Sequence, residues 1–440
     1  MDVYHVVIDD NMIRNTIQTN LAESSDLFSL KLVAYVLLLG VLPSFIIYKL
    51  EINYENIKSE LITKLKYILI SLSIIGVILF SFSKFYTSFF REHKSLRYHS
   101  NPIFWIYSIN NFLVKSFTSQ TITLKKIGDD AKISINMDEK RKIMILIVGE
   151  ATRADRFSLN GYEKETNPLL KNENVINFTN MYSCGTSTAE SVPCMFSIFG
   201  RADYSYKKGI STENVIDVLN KTNEVSILWR DNNSDSKGVA LRVAYEDYKT
   251  SKTNTICDEE CRDEGMLVGL DKYIEQHKDK NILIVLHQMG NHGPAYYKRY
   301  VKEFEKFAPI CKTNQLENCT KDEVGNAYDN AVLYTDYFLS KVINFLKPYS
   351  QNYETSMFYI SDHGESLGEN GLYLHGMPYF VAPDAQKHVA SVLWLGNSEK
   401  RNIDEIYSQD NLFHTLLGFF DVKTSIYKEN MDILNDYKKH

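Results

Sequence analysis

The stretch Ile143-Met144-Ile145-Leu146-Ile147-Val148 is apolar throughout and is followed by Gly149 and Glu150. Both faces of a strand with this sequence would be buried, which is typical of the centre of a parallel sheet. Similar short apolar runs recur at residues 225–229, 282–286, 357–360 and 389–395, with helical or loop segments between them. This alternation of strands and helices predicts an α/β sandwich with a mostly parallel sheet.

Polar residues that can carry chemistry follow four of these runs. Ligands of open α/β sheets bind beyond the carboxyl ends of the strands, so we expect the four endings to lie together. A single ending of this kind could be an ordinary polar cap. Four endings that are all rich in Glu, Asp and His instead indicate one shared metal site. The endings are residues 149–150, 230–237, 287–294 and 362–378.

Carboxylate and imidazole side chains in these endings supply the oxygen and nitrogen ligands that suit zinc, or less well manganese. A metal beside a threonine lowers the pKa of the hydroxyl and makes it a nucleophile, which threonine by itself is not. The candidate ligands are Glu150, His292, Asp362, His363 and His375, and the candidate nucleophile is Thr188.

Thr188 lies within Cys184-Gly185-Thr186-Ser187-Thr188-Ala189-Glu190-Ser191-Val192-Pro193-Cys194. A disulfide across this segment would close a stiff loop and hold one hydroxyl in place. A structural disulfide loop, in which Ser and Thr form turns or helix caps, explains the segment equally well by itself. The metal candidates elsewhere in the chain favour the catalytic interpretation.

The six cysteines form three pairs that are close in sequence. Sequence proximity favours local disulfides, although six cysteines allow many connectivities. Zinc binding by the cysteines is the alternative, but none of the pairs has the CxxC spacing, and three separate pairs suit an oxidising compartment better. The pairs are Cys184 with Cys194, Cys257 with Cys261, and Cys311 with Cys319.

Two apolar runs near the start, residues 32–48 and 67–83, predict membrane-spanning helices. Neither run contains a charged side chain, and each would be about 26 Å long as a helix with a rise of about 1.5 Å per residue. The segment between the runs is rich in lysine, whereas Arg14 is the only lysine or arginine in residues 1–27. Because basic loops stay on the cytoplasmic side of a membrane, this difference favours an external N-terminus and an external catalytic part. Two buried helices of a soluble core are the alternative, although no other part of the chain has this pattern.

The composition divides the chain into three parts. We expect a partial transmembrane domain in residues 1–86, an amphipathic interfacial connector in residues 87–139, and a catalytic domain in residues 140–440. The connector interleaves aromatic and basic residues, which is typical of helices on a membrane surface. The formal net charge of −6 gives no electrostatic footprint for nucleic acid, so we expect no nucleic-acid partner.

In combination, the motifs resemble those of the phosphoethanolamine transferases of Gram-negative inner membranes. That family includes the lipid A modifying enzymes and the mobile colistin-resistance proteins, and belongs to the alkaline phosphatase/sulfatase superfamily. The family has five membrane spans, whereas this sequence has two, which resemble the last two; a truncated chain or a misassigned start would explain the difference. The matching motifs are residues 147–150, 153–155, 160–162, 184–194, 229–238, 287–294 and 362–378.

The resemblance implies a sulfatase-like α/β sandwich preceded by transmembrane helices, in a monomer with its catalytic domain in the periplasm. It implies that phosphatidylethanolamine donates phosphoethanolamine to Thr188, and that a lipid A phosphate then accepts the group, which confers polymyxin resistance. It also implies one tightly held zinc, and room for a second. The implied ligands of the first zinc are Glu150, Thr188, Asp362 and His363.

The remaining site residues are assigned by the same resemblance. His292 and His375 would contact the phosphoryl group or a second zinc. Lys237, together with Asn233 and Ser234, would face the phosphate oxygens, as phosphoryl transfer requires donors and cations there.

A polar stripe in the N-terminal part is a candidate donor site. Asn15, Thr19 and Glu23 are spaced i, i+4, i+8, so on a helix they lie along one face. A solvated helix face is the ordinary explanation of such spacing. The resemblance instead places this pattern at the lipid headgroup, where Glu23 would pair with the ethanolamine ammonium.

Other functions remain open from the sequence. The acceptor can also be a core sugar or an envelope protein. A lipoteichoic-acid-type phosphoglycerol transferase shares the threonine, but the cysteines and residues 375–378 argue against it. A sulfatase needs Cys or Ser at the nucleophile position, followed by Pro and Arg, whereas Glu190 and Val192 follow Thr188. An inert binding protein of the same fold would show erosion of the metal ligands, and all of them are present.

Overall fold

The computed structural model describes residues 7–19, 24, 27–51, 56–83, 85–86, 89, 96, 100–117, 123–134, 140–397 and 399–435. Contacts divide these residues into two compact units. The first unit is Leu27–Tyr107, and the second combines the described residues up to Asp26 with those from Ser108 onward. The domain boundaries expected at residues 86 and 139 stay predictions.

The first unit contains two helices that are long and apolar enough to cross a membrane, Leu30–Lys49 (α2) and Ile57–Ser81 (α3). A π-helical turn at Val36–Val41 interrupts the α-helical pattern of α2. The helix α3 begins ten residues before the predicted apolar run, because the Asn56 side chain caps its first turn. An ion pair between Glu60 and Lys64 (3.2 Å) lies within this charged first part.

The helices of the second unit begin with α1, Asp10–Gln18, whose N-cap Asp9 accepts a hydrogen bond from the backbone of Met12. A further helix, Ile103–Phe117 (α4), spans the boundary between the units. The others are Thr188–Met195 (α5), Tyr206–Ile210 (α6), Val215–Lys221 (α7), Leu270–Gln276 (α8), Lys321–Leu346 (α9) and Leu412–Phe419 (α10).

The second unit is built on a nine-stranded sheet. Its strands are Arg141–Gly149 (β2), Val175–Tyr182 (β3), Val225–Asp231 (β4), Ala244–Asp247 (β5), Asn281–His287 (β6), Tyr353–Ser361 (β7), His388–Val389 (β10), Ser391–Leu395 (β11) and Arg401–Ser408 (β12). Short strands outside this sheet are Lys132–Ile133 (β1), Ser366–Leu367 (β8), Tyr373–Leu374 (β9) and Val422–Lys423 (β13).

The order of the large sheet is β10-β3-β11-β7-β2-β6-β4-β5, and β12 pairs with β3. The strands from β7 to β5 are parallel to one another, and β12 is parallel to β3. The strand β11 runs antiparallel to β3 and to β7, and β10 runs antiparallel to β3. The predicted α/β sandwich is therefore confirmed, with a mixed sheet whose centre is parallel.

The central strand β2 is buried on both faces, as its sequence predicted. Met144, Leu146 and Val148 pack in the core that includes residues of α7 and α10. The alternate residues Ile143, Ile145 and Ile147 pack in the core that includes residues of α8 and α9. Helices thus cover both sides of the sheet, because successive side chains of a strand point to opposite faces.

Candidate functional site

The carboxyl ends of the central parallel strands carry the candidate residues. Glu150 follows β2, Asn232 follows β4, β6 ends at His287, and Asp362 follows β7. Because β2 lies between β6 and β7, and β4 lies beside β6, these ends form one continuous edge of the sheet. The structure therefore brings the four predicted endings to one place.

Three candidate ligands form a buried cluster at this edge. Glu150, Asp362 and His363 are each 0% exposed, and one ligand atom from each lies within 4.8 Å of the others. Oδ1 of Asp362 accepts backbone N–H bonds from Ala151 (3.1 Å) and from His363 (2.7 Å). Within the described part of the chain, Oδ2 of Asp362 is buried and accepts no hydrogen bond.

The imidazole of His363 is oriented toward the two carboxylates. Its Nδ1 lies 2.9 Å from the carbonyl oxygen of Gly364, and since a carbonyl only accepts, Nδ1 carries the hydrogen. Nε2 therefore presents its lone pair at 3.4 Å from Oε1 of Glu150 and at 3.4 Å from Oδ2 of Asp362. Burial lowers the pKa of His363 to about 4, so the ring is neutral at pH 7.

This donor set fits a metal cation. A neutral nitrogen lone pair that faces carboxylate oxygens inside a protein is unfavourable unless a cation lies between them. Two carboxylates and one imidazole, whose other nitrogen is fixed by a hydrogen bond, are ligands that zinc takes in proteins.

Thr188 lies against this cluster at the start of α5. Its Oγ1 is 3.2 Å from Oε2 of Glu150 and 3.3 Å from Nε2 of His363. The Cys184–Cys194 disulfide joins the segment before α5 to the end of the helix. Oγ of Ser191 donates to the carbonyl of Asp362 (2.5 Å), so the helix that carries Thr188 is bound to the strand end that carries a candidate ligand.

His292 and His375 lie beside the cluster. The ring centroid of His375 is 4.1 Å from that of His363 and 6.1 Å from that of His292. Burial lowers the pKa of His292, and the charge of Arg299 adds to this effect. The structure therefore places the ring of His375 against His363, and the ring of His292 next to His375.

Glu365 belongs to the site and was not among the predicted site residues. Its Oε1 lies 3.2 Å from Nδ1 of His375, and Glu365 is 0% exposed. Burial raises the pKa of Glu365, although His375 and a hydrogen bond from Tyr296 act in the opposite direction. Its position two residues after His363 was the signal available in the sequence.

Asn233 and Lys237 have partners within the protein in this structure. The side-chain amide of Asn233 donates to Oε2 of Glu150 (2.8 Å) and to the carbonyl of Gln288 (2.8 Å). Nζ of Lys237 donates to the carbonyls of Ser234 (2.7 Å) and of Gln18 (3.2 Å). Lys237 is buried and has a φ of +48°, a strained backbone conformation that is common at functional sites.

The helix α1 reaches the same region. It packs against α5, and the guanidinium of Arg14 lies 3.8 Å from the centroid of the Tyr206 ring. A Cβ on Gly376, the residue after His375, would lie 3.7 Å from Sδ of Met12.

The predicted stripe on this helix is not continuous. The helix α1 ends at Gln18, and Thr19 has an extended backbone (φ −69°, ψ 137°), so helical spacing does not carry across Thr19. The hydroxyl of Thr19 donates to the carbonyl of Asn15 (2.7 Å). Glu23 lies outside the described residues.

A buried pair supports the site from β4 and β6. Nδ1 of His287 lies 2.9 Å from Oδ2 of Asp231, which also accepts from the indole of Trp229 (2.9 Å). Burial opposes ionisation of Asp231, but His287 and Trp229 hold its pKa below the ordinary value. This pair fixes the ends of two neighbouring strands, and the sequence did not show that these two residues are partners.

Comparison with known proteins agrees with this geometry. The family model described as phosphoethanolamine transferase EptA/EptB matches residues 1–117, and the sulfatase family model matches residues 142–422. The chain is 44% identical over 441 residues to the phosphatidylethanolamine transferase Mcr-2 of Escherichia coli, covering 97% of this chain and 82% of that protein. It is 40% identical over 459 residues to the phosphoethanolamine transferase EptA of Escherichia coli K12, covering 99% and 82%.

A solved structure shows the same architecture. The integral membrane protein lipooligosaccharide phosphoethanolamine transferase A (EptA) from Neisseria meningitidis matches with a TM-score of 0.91 at 34% identity. The match covers 99% of this chain and 83% of that one.

Proposed function

Since this chain belongs to the phosphoethanolamine transferase family, we propose that it transfers phosphoethanolamine from phosphatidylethanolamine to a phosphate group of lipid A. The observation that carries the proposal is the contact of the Thr188 hydroxyl with Glu150 (3.2 Å) and His363 (3.3 Å). The hydroxyl is buried between a carboxylate and an imidazole, and a disulfide fixes the helix that carries it. This is the arrangement of an activated nucleophile.

The reaction has two halves. In the first, Oγ1 of Thr188 forms a bond to the phosphorus of the donor, the phosphorus–oxygen bond to diacylglycerol breaks, and the threonine proton ends on the diacylglycerol hydroxyl. In the second, a lipid A phosphate oxygen forms a bond to the same phosphorus, the bond from Oγ1 of Thr188 to that phosphorus breaks, and the proton of the accepting phosphate ends on the Thr188 hydroxyl. His375, beside His363, and His292, beside His375, would contact the phosphoryl oxygens or hold a second zinc.

Zinc is the metal that we propose for this site, held by Glu150, Thr188, Asp362 and His363. When bound, it lowers the pKa of the Thr188 hydroxyl and balances the charge of the two carboxylates. The bond from Asn233 to Oε2 of Glu150 (2.8 Å) holds that carboxylate in one orientation, as supporting residues of metal sites do.

The donor headgroup would bind beside α1. The packing of α1 on α5 supports placing Asn15 and Thr19 near the nucleophile, and Glu23 would pair with the ethanolamine ammonium. Lys237 would exchange the Gln18 carbonyl (3.2 Å) for a phosphate oxygen, which is a better partner for an ammonium group. Ser234, whose carbonyl Lys237 also binds, would line the same place.

The proposed location is the bacterial inner membrane, with the catalytic domain in the periplasm. Two apolar helices suit a membrane, and three disulfides suit an oxidising compartment. Each transfer adds an ammonium group to a lipid A phosphate, so the surface would bind polymyxin and other cationic peptides less strongly.

The test is mass spectrometry of lipid A from cells that express this chain, with Thr188→Ala at matched membrane levels as the control. We expect lipid A that carries added phosphoethanolamine with the wild-type chain only. Unmodified lipid A together with a modified core sugar or envelope protein would show that this other molecule, and not lipid A, is the acceptor. Phosphoglycerol in place of phosphoethanolamine would contradict the proposed donor.

A further inference from the structure

We infer that residues 257–263 form a clamp that holds the loop of His292 and the turn of Asn233 against Glu150, with Asp263 as the positioning residue. The inference rests on the proposed function, because the segments that the clamp holds carry groups of the proposed active site. The clamp touches these segments through side chains that none of the sequence motifs identified.

The carboxylate of Asp263 binds both segments at once. Its Oδ1 accepts hydrogen bonds from the backbone N–H of Met289 (2.8 Å) and from the side chain of Asn232 (2.8 Å). Its Oδ2 accepts from the backbone N–H of Gly290 (3.1 Å). Asp263 is 5% exposed, so each lost bond would leave a buried polar group unsatisfied, and the three donors are held firmly.

A second contact from the clamp reaches the backbone of His292. Glu260 forms an ion pair with Nη1 of Arg299, and Nε of Arg299 donates to the carbonyl of His292 (2.7 Å). The side chain of Arg299 is 1% exposed, and charge-assisted hydrogen bonds are strong in such surroundings. The backbone of the His292 loop is therefore fixed at both ends by the clamp.

The segments that the clamp holds lie directly against Glu150. Gly290 has a φ of +51°, and a Cβ there would lie 3.1 Å from Cβ of Glu150, so both the backbone conformation and the close approach favour glycine. The backbone N–H of Asn291 donates to the carbonyl of Glu150 (3.1 Å). From the other side, Asn233 donates to Oε2 of Glu150 (2.8 Å). The clamp thereby sets the position of His292 relative to this carboxylate.

The clamp is itself held in shape. The Cys257–Cys261 disulfide closes it, and Nε of Arg262 donates to Asp258 (3.1 Å). The carbonyl of Cys261 accepts a hydrogen bond from the side chain of Asn232 (2.9 Å). A short covalently closed loop has few alternative conformations, and Asp263 follows two residues after its end.

The test uses the full 440-residue chain in detergent. Asp263→Asn keeps the side-chain shape but places an amide N–H against one of the three N–H donors. We expect kcat for phosphoethanolamine transfer to fall about 10- to 100-fold, with KM and zinc content close to wild type. Glu259→Gln removes the same charge at an exposed position of the clamp, and this control should keep wild-type kcat.

Two further readouts distinguish positioning from stability. In Asp263→Asn, the amides of residues 288–292 should exchange hydrogen faster, while those of β6 stay protected. In a double-mutant cycle, the effect of Asp263→Asn on kcat should become smaller when His292→Ala is present, because Asp263 acts through that loop. Fully additive losses, or wild-type kcat despite faster exchange, would overturn the inference.

A second variant covers the case in which Asp263→Asn does not fold. Glu260→Gln weakens only the Arg299 contact, and should lower kcat with faster exchange confined to the His292 loop; wild-type kcat would overturn the clamp. A wild-type chain that transfers no phosphoethanolamine would contradict the proposed function. A fully active Asp263→Asn would contradict the clamp alone.

Discussion

The hydroxyl oxygen of Thr188 lies 3.3 Å from Nε2 of His363, the ring nitrogen that carries no hydrogen because Nδ1 donates to a carbonyl. The hydroxyl thus has an acceptor on each side, since Oε2 of Glu150 is 3.2 Å away. A hydroxyl in such a position loses its proton readily once a metal occupies the site. This geometry supports Thr188 as the proposed nucleophile.

Thr188→Ala should abolish the covalent intermediate. Wild-type protein incubated with phosphatidylethanolamine and no acceptor should accumulate a phosphoethanolamine adduct, which intact-mass and peptide mass spectrometry locate on Thr188. The variant should lose the adduct and at least about 10³-fold in kcat, as expected for loss of a nucleophile. An adduct on Thr186 or Ser187 in the variant would refute the assignment.

Asp362→Asn should remove zinc without unfolding the protein. The asparagine oxygen can keep the N–H bonds that Oδ1 accepts from Ala151 and His363, while its amide nitrogen replaces Oδ2, the atom available to a metal. We expect loss of zinc, measured by elemental analysis, and loss of transfer. Asp384→Asn, at a side chain that is 79% exposed, is the matched control. Full zinc content in Asp362→Asn would contradict the ligand set.

The parallel centre of the sheet could be predicted because its burial is local in sequence. Every residue from Ile143 to Val148 is apolar, and a continuous apolar run of this kind is typical of a strand that is buried on both faces. The position of the candidate ligands at the strand ends followed from the topology of such sheets.

The edge of the sheet could not be predicted in the same way. The strand β3 carries Asn177 and Thr179, whose side chains bond to Asn402 (3.3 Å) and Asp404 (2.7 Å) of β12. These partners are more than 200 residues away in the chain, so no local pattern marks either segment as a strand.

The supporting residues of the site were missed for a related reason. Asp263 acts through backbone amides 26 and 27 residues further along the chain, and a backbone amide has no signature in the sequence. For Asn15, Thr19 and Glu23, only the assumption of one continuous helix differs from the structure, and their role at the donor stays a prediction. Their spacing suits a helix, but the helix ends at Gln18.

The stability of the second unit should fall in acid partly through His414. This ring is buried, and its Nδ1 accepts a hydrogen bond from the backbone of Lys428 (3.2 Å), which requires an unprotonated Nδ1. Burial, with a contribution from the charge of Lys428, lowers the pKa of His414 from 6.5 to about 4. Because the folded state has the lower pKa, the neutral His414 ring makes its full contribution to the free energy of unfolding above about pH 6.5. This contribution is lost as the pH falls toward about 4.

The measurement compares His414→Asn with wild type by thermal unfolding between pH 7.5 and about pH 4.5. Asparagine can accept the Lys428 bond but does not titrate in this range. We expect the difference in Tm between variant and wild type to shift in favour of the variant as the pH falls. A difference that is independent of pH would show that His414 does not titrate on unfolding.

Side chains of the N-terminal segment should recognise the donor headgroup. The helix α1 packs on α5, which begins with the proposed nucleophile, so residues of this segment should act on the lipid donor and not on the metal. Asn15→Ala and Glu23→Ala should each lower turnover of phosphatidylethanolamine in membranes about 10-fold, corresponding to one lost polar contact of about 1.4 kcal/mol. Zinc content and hydrolysis of a small soluble phosphoester should not change. Thr16→Ala, at the exposed neighbour of Asn15, is the matched control. Equal losses on the lipid and on the soluble ester, or no loss on the lipid, would show that these side chains form only a surface.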